Sequence, residues 1–556
     1  MVKENPLLKL FVHPKIYTLE DSLPMAQWML VQGSTILAMG QEKDPYPKEA
    51  NGLDPVELQG GCVLPGFIDS HCHLHQYIYR HIPLMQNKKI NVALPDSYKY
   101  WLDFSKVESK EAFLEKLQKE ALSSKQGEWI LGGGWNNLEI LPHREELDRI
   151  FPYHPVFLKD ASLHSGLVNS QALKLAEINE STHDPIGGRI DRDAQGFMPT
   201  GLLFEQAMNM VQKKIPTLPQ KILALLLPEA MKYMNQYGIV GIHDMENFDY
   251  YEIFSALSWL LFQNPEEFTV RCLCSLTLES WQKYLDIGKT PGMGNEMLRF
   301  GHLKLIYDGS LGARTAYMNK PYPLSAYRGE ELVSRSEVRN TVKEAIRRNV
   351  PLAIHAIGDR ATQNIAEIFA EFHPNRLPCG MMHRIEHVQA AETSVIESLA
   401  KSGIAFSVQP IHIPSDLKST ASLQPHLLAH THAYRDMIDF GKQYNVPLIL
   451  GTDFPVAPIH PLWNIYSAVT RSSPVKGIKP SGKDKNCLTR KEAIEAYTSK
   501  PARVAGEGAI KGSLCPGKLA DFIVLSHDIL QEEDDAVLLD AKTKATYLGG
   551  KCVYQG

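Results

Sequence analysis

The chain has 556 residues, 22% of them charged and 44% hydrophobic, with a formal net charge of −5. That length exceeds one small core and fits a large catalytic body plus a smaller unit. The balance is that of a folded chain rather than a disordered one, and a mildly acidic protein without a long basic run is not built for nucleic acid or an anionic membrane surface.

Residues Met1 to Pro6 lack the charged-then-apolar pattern of a secretory signal. No apolar run approaches the ~18 residues of a membrane helix. A cytoplasmic protein with no membrane partner is therefore expected. The first sixty residues read as short strands, Leu8 to Tyr17, Met29 to Met39 and Val56 to Leu58. Next comes Val63-Leu64-Pro65-Gly66-Phe67-Ile68-Asp69-Ser70-His71-Cys72-His73, an apolar run that ends in two histidines one residue apart. Side chains alternate along a strand, so His71 and His73 share a face while Cys72 points into the core. Two imidazoles aimed at one point suit a divalent transition metal.

Residues 74 to about 235 are long for one or two barrel units. They read as an inserted, partly helical lid or substrate region, with helices over Lys110 to Leu122 and Pro219 to Tyr237 and Gly-rich turns between. A helix-then-strand cadence follows. Pro228 to Tyr237 leads into Ile239 to Asp244, Ser336 to Arg348 into Val350 to His355, Ala391 to Lys401 into Gly403 to Gln409, and Tyr434 to Tyr444 into Val446 to Asp453. Repeated units of this kind argue for an α/β protein with a parallel sheet. Cadence alone allows a closed barrel or an open doubly wound sheet. The polar strand ends decide. His73, Asp244, His355, His387, Gln409 and Asp453 all close strands, and chemistry spread over many strand ends converges only around a barrel mouth.

The eight cysteines are scattered and suggest no disulfide framework. Cys272 and Cys274 read as small apolar strand residues rather than a metal clip. The last fifty residues return to strands. Ala545 to Leu548 turns through Gly549-Gly550 into Cys552 to Tyr554, a hairpin signal. The expected architecture is a (β/α)8 barrel over 63–502 with a small β-sandwich domain built from both termini, 1–62 and 503–556.

Several chemistry-bearing side chains stand on these strands. Lys304 lies inside the apolar run Gly301-His302-Leu303-Lys304-Leu305-Ile306, and a strand lysine is rarely buried unless paired or used. His355, His387 and Asp453 end later strands. Trp135, after Gly132-Gly133-Gly134, is a candidate aromatic wall for a substrate pocket, with a core tryptophan as the competing reading. Arg314 is a candidate anchor for a substrate carbonyl or carboxylate, with a surface ion pair as its competitor.

As an ordered set these residues resemble the amidohydrolase superfamily of metal-dependent hydrolases. The chain is most similar to the branch that contains N-substituted formamide deformylases. The resemblance rests on Leu64 to His73, Leu305 to Thr315, His355 to Ala361, Arg384-Ile385-Glu386-His387, Gly451 to Val456 and Pro516 to Phe522. It implies a barrel with a terminal β-sandwich and one or two divalent ions, zinc first, with iron or manganese as alternatives. His71 and His73 would hold the first ion, His355 and His387 the second, and Asp453 would serve as ligand and general base. It further implies a carboxylated Lys304 bridging two ions. Glu205 is the runner-up acidic ligand, set against the blander reading of a surface carboxylate on a helix. His164 is a candidate substrate contact by this resemblance: with Asn169 it falls where relatives carry Asp-Gly-His, and here Ser162-Leu163-His164 departs from that pattern. The implied activity is hydrolysis of an amide or related C–N bond in a small molecule of the N-formyl or N-acyl amine class. Deamination of a ring amine is the alternative, though such relatives keep one metal and do not need the strand lysine. A non-catalytic scaffold is the third reading, and the retained histidines and aspartate speak against it. A homodimer is the default assembly.

Overall fold

The computed structural model describes residues 8–86, 101–121, 126–135, 141–245, 250–279, 281–372, 377–475 and 484–556. The expectation placed on Met1 to Pro6 lies outside these residues. At the centre are eight parallel strands, labelled here β1 (Phe67–Cys72), β2 (Ile239–Asp244), β3 (Arg271–Leu276), β4 (Leu298–Ile306), β5 (Leu352–Ala356), β6 (Arg384–His387), β7 (Ala405–Val408) and β8 (Leu448–Leu450). Each pairs in parallel with the next in chain order. Nearly every strand residue is buried, as expected of strands covered on both faces by helices.

The ring closes just beyond the strands rather than along them. Cys72 bridges in parallel to Phe454, and the Asp453 amide donates to the His71 carbonyl at 2.7 Å. Gly451 makes this approach possible: a Cβ there would stand 2.5 Å from the His71 amide nitrogen. The nearly closed eight-stranded parallel barrel is the architecture the polar strand ends predicted.

The predicted helices recur with small shifts. Tyr434–Tyr444 appears with the expected bounds, Ser336 to Arg348 becomes Arg335–Arg347, and Ala391 to Lys401 becomes Thr393–Lys401. Ser334 accepts from the Glu337 amide and so sets the start of its helix, an N-cap role. The helix expected over Pro219 to Tyr237 runs over Gln220–Asn235, with Pro228 inside it.

The excursion between β1 and β2 holds more strand than expected. Lys110–Ala121 is helical as predicted, but the region also forms a six-stranded sheet in the order Gly188–Arg192, Pro199–Glu205, Ser165–Val168, Val156–Asp160, Ile130–Trp135, Leu102–Asp103. The Gly-rich stretch predicted as a turn is a strand in this sheet. A Cβ on Gly132 would meet the Leu102 carbonyl oxygen at 2.5 Å, and one on Gly133 the Lys159 carbonyl oxygen at 2.4 Å. Glycine here serves close strand packing, not a bend.

Both chain ends join in one sheet, ordered Lys551–Gln555, Thr543–Leu548, Phe522–Leu525, Cys62–Pro65, Leu8–Tyr17, Met25–Gln32, Thr35–Gly40, with Val56–Glu57 beside Leu8–Tyr17. Phe11, Phe522 and Tyr547 cluster in its core with ring centroids 4.3 to 5.4 Å apart. Cys62–Pro65 belongs to this sheet and runs through Gly66 straight into β1, so the terminal sheet anchors the histidine strand covalently. Cys272 and Cys274 are buried and unbridged in β3. No helix among the described residues is long and apolar enough to cross a membrane.

A buried ion pair fastens this sheet to the barrel. Arg271 at the start of β3 forks onto Asp521, Nε to Oδ2 at 2.7 Å and Nη2 to Oδ1 at 3.0 Å, and the Gly549 amide donates to the same carboxylate at 2.8 Å. Removing one partner strands a buried charge. Asp521→Ala is expected to destabilise the protein by about 3–5 kcal/mol, read from urea midpoints against wild type. A change within experimental scatter would show that the pair does not hold the sheet in place.

Candidate active site

His71 sits near the end of β1 and His73 just past it, and their rings lie 5.4 Å apart between centroids. The shared face predicted from strand alternation holds. Asp453 follows β8, and barrel closure swings its carboxylate against both. Its Oδ1 is 3.0 Å from His73 Nε2 and 3.4 Å from His71 Nε2. His387 ends β6, with its ring 4.9 Å from that of His71. The ligand atoms of His71, His387 and Asp453 all fall within 4.8 Å of one another. Asp453 and His387 both adopt left-handed backbone, at φ 59° and 74°. Such conformations are uncommon outside glycine and gather at sites where side chains must be aimed.

His355, at the end of β5, lies 4.5 Å from the His387 ring. Its Nε2 donates to the Gly309 carbonyl at 3.2 Å and faces Asp308 Oδ1 at 3.6 Å. Lys304 is buried in β4, and its charge acts on His71, His355, His387 and Glu386. The structure thus brings all six residues expected at the metal site to one end of the barrel. His71, His387 and Asp453 converge most closely, with His73 on the Asp453 carboxylate and His355 and Lys304 alongside.

Residues behind the site aim these donors, and sequence reasoning had given them no role. Glu386 Oε2 accepts from His71 Nδ1 at 2.7 Å, so Nε2 carries the free lone pair. Gln409 Oε1 does the same for His387 Nδ1, also at 2.7 Å. Asp69 accepts from the amides of His71 and Thr452, each at 3.1 Å, and from the Thr452 hydroxyl at 2.6 Å, tying β1 to the segment after β8. Asp308 accepts from the amides of Tyr317, Ile357 and Gly358 at 2.8 to 2.9 Å. The signal for Glu386 was its place two residues after Arg384 and next to His387 on one short strand; for Gln409 it was the polar strand end.

Burial governs the charges. It drives His71 down to about 4, with Lys304 adding to the effect, and drives His355 and His387 well below the imidazole range. Neutral imidazole is the form that can ligate a cation. Burial alone would raise the Asp453 carboxyl, but the facing histidines hold it well below its usual range, so it is ionised.

A second cluster stands on the rim. His164 lies 5.3 Å from His355 between ring centroids, and its Nδ1 contacts both Glu205 oxygens at 2.9 and 3.0 Å. Thr315 donates to Glu205 at 2.6 Å. Burial would lower the His164 pKa, but Glu205 overrides it and raises it to about 9. Glu205 is not the surface helix carboxylate of the blander reading. It is buried at the end of a strand, at φ 52°, because the insertion sheet delivers it to the barrel mouth. Arg314 is exposed beside Thr315, again with left-handed backbone. Trp135 is buried in the insertion sheet's own core with Phe104, Phe113 and Leu158. That is its competing reading as a core tryptophan. Asn169 caps the helix Ser170–Leu175 by accepting from the Ala172 amide.

The donor set fits a cation. His71 Nε2 is buried with no hydrogen-bond partner, a costly state for a polar atom unless an ion takes its lone pair. The 3.0 and 3.4 Å separations to Asp453 match the ~3.3 Å edge of a tetrahedron built on the ~2.0 Å bonds zinc makes to nitrogen and oxygen. An eight-stranded barrel that gathers imidazoles and a carboxylate at one mouth is the frame of a metal-dependent hydrolase.

Comparison with known proteins agrees. The sequence profile of the amidohydrolase family matches residues 55–554, and the chain belongs to that family. It is 31% identical over 553 residues to Protein LONG AFTER FAR-RED 3 of Arabidopsis thaliana, covering 97% of this chain and 90% of that protein. It is 26% identical over 575 residues to N-substituted formamide deformylase of Arthrobacter pascens, covering 98% of each. Among solved structures, an uncharacterized metal-dependent hydrolase from Pyrococcus horikoshii superposes with a TM-score of 0.71 at 25% identity, covering 95% of this chain and 99% of that one. Family membership supports a metal-dependent hydrolase activity.

His71→Ala and His387→Ala each delete one member of the converging trio. Both variants are expected to lose most of the metal that wild type carries after dialysis against zinc, read by elemental analysis of folded protein. Full metal content in both would remove the trio as the cation site.

Proposed function

We propose that this protein hydrolyses the amide bond of a small N-formyl or N-acyl amine. The observation that carries the reading is the convergence of His71, His387 and Asp453 ligand atoms within 4.8 Å at a barrel mouth. Likeness over 98% of the chain to a protein named N-substituted formamide deformylase supports the choice of bond. His71, His73, His387 and Asp453 hold zinc in this reading, with His355 and a carboxylated Lys304 serving a second ion. A divalent metal there lowers the pKa of water from 15.7 towards ~7 and polarises a carbonyl oxygen.

The chain's own groups do the rest. Asp453, ionised among the imidazoles, takes a proton from the attacking water as the new C–O bond forms. It then returns that proton to the departing amine nitrogen as the C–N bond breaks. One carboxylate can act twice because it sits beside both the water and the leaving group. Glu386 and Gln409 keep His71 and His387 facing the site throughout. Lys304, buried in β4 beside these imidazoles, is the residue that would carry the carbamate in this reading.

Zinc-loaded protein assayed on N-formyl, N-acyl and cyclic amides should release amine from one of the first two classes. Asp453→Asn should still carry metal but lose ~10²–10⁴-fold in kcat. Retained metal with a near-normal rate rules out Asp453 as the proton carrier. Release of ammonia from ring amines alone, with no amide turnover, replaces the reading with deamination.

A further inference from the structure

Arg384 is fully buried inside the barrel, one of the largest side chains to be so. It stands two residues before Glu386 on β6, so both project to the same face. Its guanidinium is used on every side. Nε and Nη2 fork onto the two Glu386 oxygens at 2.5 and 2.9 Å. Nη2 also donates to the Ser70 carbonyl at 2.7 Å and the Ser407 hydroxyl at 2.6 Å. Nη1 faces His243 Nδ1 at 3.0 Å. One cation thereby links β6 to β1, β7 and β2. The Glu386 Oε2 that takes Nη2 is the same atom that accepts from His71 Nδ1 at 2.7 Å.

We infer that Arg384 is a positioning residue for the cation site, holding Glu386 in the one orientation that points the His71 Nε2 lone pair into the barrel mouth. The inference rests on the metal-site reading above. A carboxylate on a flexible stem has several rotamers, and a single bond to an imidazole does not select among them. A planar fork does, because it satisfies both oxygens at once and fixes the plane of the carboxylate. The backbone carbonyl of Ser70, adjacent to His71 in the chain, is held by the same guanidinium. Arg384 therefore sets the position of the His71 main chain and the rotation of its ring together. Lysine offers one nitrogen in place of the fork and cannot reproduce the paired contacts.

The test is zinc affinity measured on chelator-stripped protein by competition with a chromogenic chelator, with thermal melting recorded on the same samples. The set is wild type, R384K, R384M, E386Q and R384M/E386Q. Partners that orient a metal-bound histidine typically contribute 10–100-fold in affinity. R384M and E386Q should each weaken zinc binding by ~10–100-fold, R384K should fall between them and wild type, and the double variant should be no weaker than the worse single one. Coupling of this kind is what two residues acting through one contact produce. An arginine that serves only the fold would lower the melting temperature and leave the zinc Kd unchanged, and that result overturns the assignment. So do losses that multiply in the double variant. If R384M does not fold, R384K carries the comparison, since it keeps the buried charge; wild-type affinity in R384K together with weakened binding in E386Q overturns the role of the fork. Wild type that takes up no zinc overturns the cation site itself, and this inference with it.

Discussion

The interaction on which the rest depends is a single backbone hydrogen bond and what surrounds it. The Asp453 amide donates to the His71 carbonyl at 2.7 Å, and the Asp69 carboxylate accepts from Thr452 and His71 on either side of it. This seam joins the first barrel strand to the last. Without it, a carboxylate and an imidazole from opposite ends of the catalytic body would not face each other. Parallel strands can be closed into a ring only when their tilt and register agree, so the seam is a consequence of the whole barrel and the site is a consequence of the seam.

A site built this way needs polar groups in an interior that penalises them. The molecule meets that cost by pairing. His71 leans on Glu386, His387 on Gln409, Glu205 on His164 and Thr315, and Asp308 on three amides. Buried polar groups with complete partners are tolerated and rigid; those left open are costly. His71 Nε2 has no such hydrogen-bond partner and lies 3.4 Å from Asp453 Oδ1, at the point where the other imidazoles of the site converge.

The local part of the site was readable in the chain. His71 and His73 share a face because strands alternate, and that period needs no tertiary information. The helix over Tyr434–Tyr444 and the strand after it follow from spacing and punctuation in the same way. Other parts were hidden for identifiable reasons. Strand alternation puts Glu386 and His387 on opposite faces, and only the turn of the backbone to φ 74° at His387 lets both act on one site. The glycines at 132 and 133 carry the composition of a turn, yet they pack between strands, because a missing Cβ serves a close approach as well as a bend. Trp135 beside them follows the sheet into its core. Glu205 has the flanks of a helical surface residue, and its burial depends on where the insertion sheet meets the barrel.

By itself the sequence determined the chemistry available to the site, imidazoles and carboxylates at the ends of apolar strands, and the β/α cadence that repeats them. These are properties of near neighbours, set by periods of two and 3.6 residues. Tertiary structure alone decided which of those groups meet: His71, His387 and Asp453 within reach of one cation, His355 turned to the Gly309 carbonyl, and Arg384 beneath Glu386. Register between strands and closure of the ring set those distances, and both arise from contacts between residues far apart in the chain.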